Sequence, residues 1–465
     1  MLHYAACALC LLCLPACTVI PVTERADIAR KMPSEFAAAG PVVYDDELAW
    51  QSSFADPRLV ADVQALTTQN FELESARARL EQAAADYGIR RAELFPVVDA
   101  TANAQRIREK EPTGSTEITS TIDFGAALVW DLDIWGRLLA KKEAASLTLE
   151  EQKALVDQTA LDVQTLLVES WVAHHAAQKL GAVIRDQSDT NARFLELTEL
   201  RFMQGQGNAL DVLQQRGRLA ATKRALPSVE ADAVAAANAY DVLLGKPPAA
   251  APKPLQKWPE IMPFSSLPSP PTLVETRPDI RAAFFALRAA DQEVAAAIAD
   301  RLPRLAVDLR YTLSGDALST VGDGRSLGVT GGVLAPIFDA GRRKAQVSRR
   351  EAEAKEALAD LEQAMLVALR EIENALSRER ALFTEQRLLN EERAIAQSTV
   401  EKAKLRYVNG QENYLSVLSA LENQQTLFQQ SITLERDLLL NRARLLKAFG
   451  ATWNQKDIRD ETSNL

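Results

Sequence analysis

The stretch from Gly341 to Gly450 constrains the fold most, because its helical pattern is far longer than a globular domain uses. Apolar residues recur at three-four spacing at Leu358, Leu361, Met365, Ala368, Ile372 and Ala375, and a second stripe of Leu366, Leu369, Leu376 and Phe383 runs beside it. Two seams on one helix predict two helical neighbours. No proline follows Pro336, so nothing breaks the helix. At 1.5 Å per residue, a helix reaching from Gly341 to Asn409 is on the order of 100 Å long. After a tight turn the pattern resumes at Leu418, Leu421, Phe428, Ile432, Leu439, Leu446 and Phe449, with Gln425, Glu435 and Arg442 in the same register.

This unit has a copy 205 positions earlier, in step without a gap. Leu200-Arg201-Phe202-Met203-Gln204-Gly205-Gln206 matches Leu405-Arg406-Tyr407-Val408-Asn409-Gly410-Gln411, and both continue as Leu-x-Val-Leu, at Leu210 to Leu213 and Leu415 to Leu418. Gly136-Arg137 matches Gly341-Arg342, and Gly245 matches Gly450. Any two coiled coils share leucines; glycines and Arg-aromatic pairs in step point to duplication. Two copies argue against a solenoid, which needs three or more.

The net charge of −10 and the absence of a Lys/Arg run exclude nucleic acid as a partner. No stretch beyond the N-terminus is apolar for long enough to predict a transmembrane helix. All four cysteines, Cys7, Cys10, Cys13 and Cys17, fall in an apolar core of signal-peptide length. Leu14-Pro15-Ala16-Cys17 has the form of a lipobox, which predicts lipidation at Cys17; an ordinary secretory signal is the alternative. The leader Met1-Leu2-His3-Tyr4 lacks the usual Lys or Arg.

Elsewhere the period changes. A helical pattern from Asp56 to Ala92 ends at Phe95-Pro96, and then Val98, Ala100, Ala102 and Ala104 alternate with Asp99, Thr101, Asn103 and Gln105. After a loop the alternation returns through Ile118, Ile122, Phe124, Ala126, Leu128 and Trp130. The second half repeats this with Leu305, Val307, Leu309, Tyr311 and Leu313, a Gly/Asp-rich loop from Gly315 to Gly324, and Leu327, Val329, Val333, Ala335 and Ile337. The organisation read from this is a signal peptide at 1–16, an extended lipid-anchored segment at 17–55, repeat 1 at 56–245, a Pro-rich linker at 246–275, repeat 2 at 276–450 and a polar tail at 451–465. Repeat 1 holds a β-hairpin at 97–132 and a helical hairpin at 136–245; repeat 2 holds them at 304–338 and 341–450.

Four strands with one apolar and one polar face fit either a sheet on a soluble core or a barrel crossing a bilayer around a wet lumen. The polar faces carry Asp99, Asp123, Asp131, Asp308 and Arg310, which favours the lumen. A bilayer tolerates no open sheet edge, so four strands need other subunits: at least two chains, with three giving twelve strands and, from the two hairpins each, a ring of helices.

Here the chain resembles the TolC-like outer membrane efflux proteins, in the lipid-anchored OprM/NodT branch. The resemblance is carried by Leu14 to Cys17, by Arg277-Pro278-Asp279-Ile280-Arg281-Ala282-Ala283, by the junctions Asp133-Ile134-Trp135-Gly136-Arg137 and Pro336-Ile337-Phe338-Asp339-Ala340-Gly341-Arg342, and by the two Arg-aromatic-x-x-Gly turns. It implies an α+β membrane protein, a trimeric 12-stranded β-barrel continuous with a 12-helix periplasmic α-barrel. It further implies an outer membrane channel of a tripartite efflux pump, opened by a periplasmic adaptor and a proton-driven inner membrane pump. Type I protein secretion and a periplasmic coiled-coil adaptor are the alternatives.

By the same resemblance, Gly205, Gln206, Gly207 and Asn208, with Gly410, Gln411, Glu412 and Asn413, are the tips that meet the adaptor. A periplasmic gate is expected at Leu415, Ser416 and Ser419, with Asp211 from the first copy; the family's acidic residues after the second turn are absent here. Catalysis finds no support. His174 and His175 are neighbours on a helix, about 100° apart, wrong for joint metal ligation, and are expected to be solvated or equatorial. Gly322-Asp323-Gly324 lacks the helix and Lys-Ser/Thr of a phosphate loop, and no cofactor is expected.

Overall fold

The computed structural model describes residues 32–38, 43–44, 50, 53–54, 56–110, 114, 116–248, 258–264, 266–451 and 453. The expected signal peptide, Cys17, part of the linker and the polar tail beyond 453 lie outside them. In chain order the elements are β1 (Val43–Tyr44), α1 (Pro57–Gln69), α2 (Phe71–Ala92), β2 (Val97–Lys110), β3 (Thr116–Leu132), α3 (Arg137–Met203), α4 (Ala209–Leu243), β4 (Ser266–Leu267), α5 (Leu273–Thr276), α6 (Pro278–Ala299), β5 (Arg304–Gly315), β6 (Gly324–Leu334), α7 (Arg342–Val408) and α8 (Tyr414–Ala448). The duplication is exact in length: α3 and α7 have 67 residues each, α4 and α8 have 35 each.

The chain divides into two compact units. The first, within Gln82–Glu151 and Ala283–Leu361, contains one antiparallel sheet in the order β2-β3-β5-β6. Its register carries the alternation across all four strands. Val98, Leu128, Leu309 and Val329 form one apolar row, and Ala100, Ala126, Tyr311 and Leu327 the next. The opposite face repeats polar rows, among them Asp99, Ala127, Arg310 and Gly328, then Thr101, Gly125, Thr312 and Ser326. Leu327, Val329 and Val333 stand exposed on the apolar face, and β2 and β6 each pair on one side only. A greasy exposed face with two open edges is a barrel segment awaiting its neighbours.

The fourth strand ends earlier than its alternation suggests. Ladder pairing stops at Leu334, and Ala335 and Ile337 lie in irregular chain, because Pro336 has no N–H to give the sheet. At this end of the sheet Trp130 Nε1 donates to the Leu94 carbonyl (3.0 Å) and Trp135 Nε1 to that of Pro303 (2.7 Å); both rings stay exposed, as do Ile337 and Phe338 just past β6. Such a belt suits the level where a bilayer meets water.

The second unit comprises Ala29–Glu81, Gln152–Ala282 and Glu362–Leu465. The single helix expected from Asp56 to Ala92 is two helices, α1 and α2, broken at Asn70. Asn70 is buried; its Oδ1 accepts from Leu73 N (3.0 Å) and its Nδ2 donates to the Leu243 carbonyl at the end of α4 (2.9 Å). The second repeat makes the same joint with a different residue, as Arg277 Nη1 donates to the Ala448 carbonyl at the end of α8 (2.8 Å). Each short helix thus starts where a returning helix stops, and one side chain satisfies a carbonyl that the helix end leaves open.

The core of this unit gathers Leu59, Val63, Leu66, Leu167, Trp171, Tyr240, Leu439 and Leu446. The segment before α1 is tied onto it. The Ala37 and Ala38 amides each donate to the Glu373 carboxylate (2.7 Å), and Trp50 donates to the Ala451 carbonyl (2.7 Å) while stacking on Trp453 at 5.5 Å. β1 and β4 pair in parallel, joining that segment to the linker.

Candidate functional site

Both helical hairpins turn on a glycine in the left-handed region, Gly205 (φ 72°) and Gly410 (φ 73°). The amides of Gln206 and Gln411 then reach back to the Arg201 and Arg406 carbonyls, at 2.8 and 2.9 Å. This is the Schellman closure that glycine at this position permits. Gly207 does not adopt a left-handed conformation, in keeping with the glutamate, Glu412, at its twin position. Asn208 and Asn413 open the return helices as N-caps, their Oδ1 atoms accepting from Asp211 N (2.9 Å) and Ser416 N (3.0 Å). Gly205, Gln206, Asn208, Gly410, Gln411 and Asn413 are exposed, Gly207 and Glu412 half-buried.

Among the gate candidates, Leu415 and Ser419 stand exposed one turn apart on α8. Ser416 is engaged locally, its hydroxyl donating to Glu412 Oε1 (2.9 Å). Asp211 is half-buried in the first turn of α4. It sits close enough to Tyr414 to act on it: burial first, then the Asp211 charge, pushes the Tyr414 hydroxyl above the usual tyrosine range. Asp211 and Leu415 each occur once per chain, so a ring of these residues requires copies of the chain.

What the sequence reading missed is a buried polar ladder joining the two hairpins beside their turns. Tyr414 Oη donates to Gln215 Oε1 (2.7 Å), and Gln215 Nε2 to the Asn191 carbonyl (2.7 Å). Gln425 Nε2 donates to Asn191 Oδ1 (3.1 Å), and Arg218 Nη2 donates to Gln425 Oε1 (2.9 Å). Gln187 Nε2 donates to the Gln425 carbonyl (3.0 Å), and Gln187 Oε1 accepts from Gln429 Nε2 (2.8 Å). Gln187, Asn191, Gln215 and Gln425 are all buried. Around the ladder Phe194, Tyr407, Tyr414, Val417 and Leu418 form an apolar cluster, and Arg201 stacks 4.3 Å from the Tyr407 ring centre while donating to its carbonyl (2.7 Å). The available signal was Gln425 in an otherwise apolar seam with Leu418, Leu421 and Phe428. A polar residue there needs a partner.

The histidines are a correction. Far from being solvated, His174 and His175 are 2% and 4% exposed. His174 Nδ1 lies 2.8 Å from the Ala233 carbonyl, and Trp171 meets His175 edge-on at 4.9 Å. Burial, with His174 beside it, lowers the His175 pKa from 6.5 to about 4, against opposing effects of Gln178 and Asp56. Between these values the unfolded chain binds a proton that the folded chain refuses. Stability is therefore full above pH 6.5 and falls as pH drops towards about 4. Urea-unfolding midpoints across this window should fall more steeply for the native chain than for His175→Gln, and equal slopes would remove His175 from the account.

Known proteins share this architecture. The outer membrane efflux protein family model matches residues 63–246 and 270–451. The pyoverdine export outer membrane protein OpmQ of Pseudomonas aeruginosa is 30% identical over 463 residues, covering 96% of this chain and 95% of its own. The outer membrane protein OprJ of the same species is 29% identical over 464 residues, covering 96% and 95%. The solved structure of the outer-membrane channel OprN superposes with a TM-score of 0.86 at 27% identity, covering 91% of this chain and 97% of that one. The exposed apolar sheet face, the polar face behind it and the duplicated hairpins now have one explanation: the chain belongs to the outer membrane efflux protein family, and it is the outer membrane channel of a tripartite efflux system, a homotrimer of twelve strands and a twelve-helix periplasmic barrel that works with a periplasmic adaptor and an inner membrane pump.

Proposed function

We propose that the hairpin turns are the adaptor-contacting tips and that the ladder beside them is the latch of the channel. The observation that carries this reading is the Tyr414 to Gln215 bond, which ties residues 199 positions apart on separate hairpins. In water such a bond would be worth little; buried, it is costly to leave unmade. An adaptor that seats on Gly205 to Asn208 and Gly410 to Asn413 can trade these bonds for its own and let the hairpins part. Leu415 and Ser419 then line the constriction, and Asp211 acts on the latch through the tyrosines. The conduit is passive, exports small molecules and performs no catalytic step; energy comes from the inner membrane pump, for which proton drive is our reading. Cys17 carries the lipid anchor, which the intact mass of the mature protein reads directly.

Tyr414→Phe keeps the ring and leaves the buried Gln215 oxygen without its donor, a loss of about 1–3 kcal/mol to the latched state. That is roughly a 5- to 150-fold shift of the closed–open equilibrium. Planar-bilayer recordings of the trimer should show longer open dwell times and larger mean conductance for Tyr414→Phe, and none for the exposed Thr426→Ala. Conductance unchanged in Tyr414→Phe would rule out the latch.

A further inference from the structure

Strand β2 does not stop where the apolar band stops. On the outward face the apolar rows run from Leu132 and Leu305 up to Ala104 and Ile122, with no bulge in the ladder. Five two-residue steps at about 3.3 Å per residue, tilted by about 40°, rise about 25 Å, the height of the apolar band of an outer membrane barrel. β2 and β3 continue beyond it. The next three outward positions on β2 are Arg106, Arg108 and Lys110, facing Ser120, Ile118 and Thr116 on β3. All three cations are exposed, and none forms an ion pair among the described residues. The acidic pair at this level, Glu109 and Glu117, occupies the other face.

Cations at alternate positions, just above the acyl level and pointing out of the barrel, face lipid headgroups rather than the lumen. This end is the exterior one, since the strands' other ends lead into the periplasmic helices. The lipid that meets it is that of the outer leaflet. We propose that Arg106, Arg108 and Lys110 bind the phosphate groups of lipid A, the phosphorylated glycolipid of that leaflet, while its acyl chains lie along Ile122, Phe124 and Leu313. Guanidinium forks match phosphate in geometry as well as charge. The open edge of β2 places the stripe at a subunit boundary, so a bound lipid A bridges two protomers. The inference rests on the outer membrane placement of the barrel, and not on the latch.

The test uses delipidated trimer in detergent, titrated with bis-phosphorylated lipid A, its dephosphorylated form, phosphatidylglycerol and phosphatidylethanolamine, and read by native mass spectrometry. Each cation near an anionic lipid surface contributes about a fivefold gain in binding, so Arg106→Gln/Arg108→Gln/Lys110→Gln should bind bis-phosphorylated lipid A about a hundredfold more weakly. Arg106→Lys/Arg108→Lys should stay within about tenfold of the native protein, because charge is kept. Should the triple variant fail to assemble, Arg108→Gln alone decides, with about a fivefold loss. Native binding by an assembled Gln variant, or equal binding of dephosphorylated lipid A or phosphatidylglycerol, overturns the proposal. Conductance of the triple variant stays native in either case, which separates this outcome from failure of the channel reading.

Discussion

Arg442→Ala is expected to destabilise the helical unit by about 3–5 kcal/mol, among the largest single-residue effects in the protein. The Arg442 and Glu379 side chains are 4% and 7% exposed and bonded twice, Nε to Oε2 at 3.1 Å and Nη2 to Oε1 at 2.7 Å. The guanidinium also donates to the Met262 carbonyl (2.7 Å) and Ser53 Oγ (3.2 Å), and lies 3.8 Å from the ring centre of Phe264. One cation thus fastens α7, α8, the linker and the segment before α1. Alanine leaves the Glu379 carboxylate buried without a counter-charge and the Met262 carbonyl without a donor. Replacing both partners by apolar residues, Arg442→Met with Glu379→Leu, should recover most of the loss, since the desolvation of both charges disappears with them. The check is a double-mutant cycle on thermal unfolding of the purified trimer. Additive losses in the cycle would mean that packing, and not the buried charge, sets the cost.

The second large effect separates four glycines that look alike in the sequence. Gly205, Gly245, Gly410 and Gly450 all have φ between 68° and 73°. A Cβ on Gly205 or Gly410 meets nothing within 4 Å, so alanine there costs only the left-handed backbone, about 1–2 kcal/mol. At Gly245 the same Cβ would lie 2.4 Å from the Gln69 carbonyl oxygen, and at Gly450 2.7 Å from that of Thr276. In both cases the added Cβ meets backbone, which cannot swing aside as a flexible side chain could, at the joints where Asn70 and Arg277 fasten the short helices onto α4 and α8. They yield only if the joint opens. Gly245→Ala and Gly450→Ala should therefore cost at least about 3 kcal/mol, well beyond the left-handed term alone. Unfolding midpoints of the four alanine variants test the ranking, and four equal losses would show that the joints are not rigid.

How much of this was legible follows from what kind of information local sequence holds. The helical hairpins were readable because their period persists for many turns, and the duplication because identical turn chemistry recurs at a fixed offset. The strands were readable because period-2 alternation survives all three ladders of the sheet, as the Val98, Leu128, Leu309 and Val329 row demonstrates. The break at Asn70 was not, since an N-capping asparagine inside an amphipathic run differs little from any polar residue on the wet face. The early end of β6 is written in Pro336 but masked by the apolar alternation, which continues past it.

The sequence by itself determined the long helical hairpins, the faces of the strands and the incompleteness of the sheet, because periodicity and turn residues are local properties. Only the tertiary structure decided which polar side chains are buried and with whom. Gln425 meets Asn191 and Arg442 meets Glu379 across distances in the chain that no periodicity spans. The burial of His174 and His175, against the solvated alternative, was out of reach for the same reason. A helix's own pattern reports that a residue faces inward, whereas a hydrogen-bond partner is supplied by another helix, and that pairing exists only once the hairpins have packed.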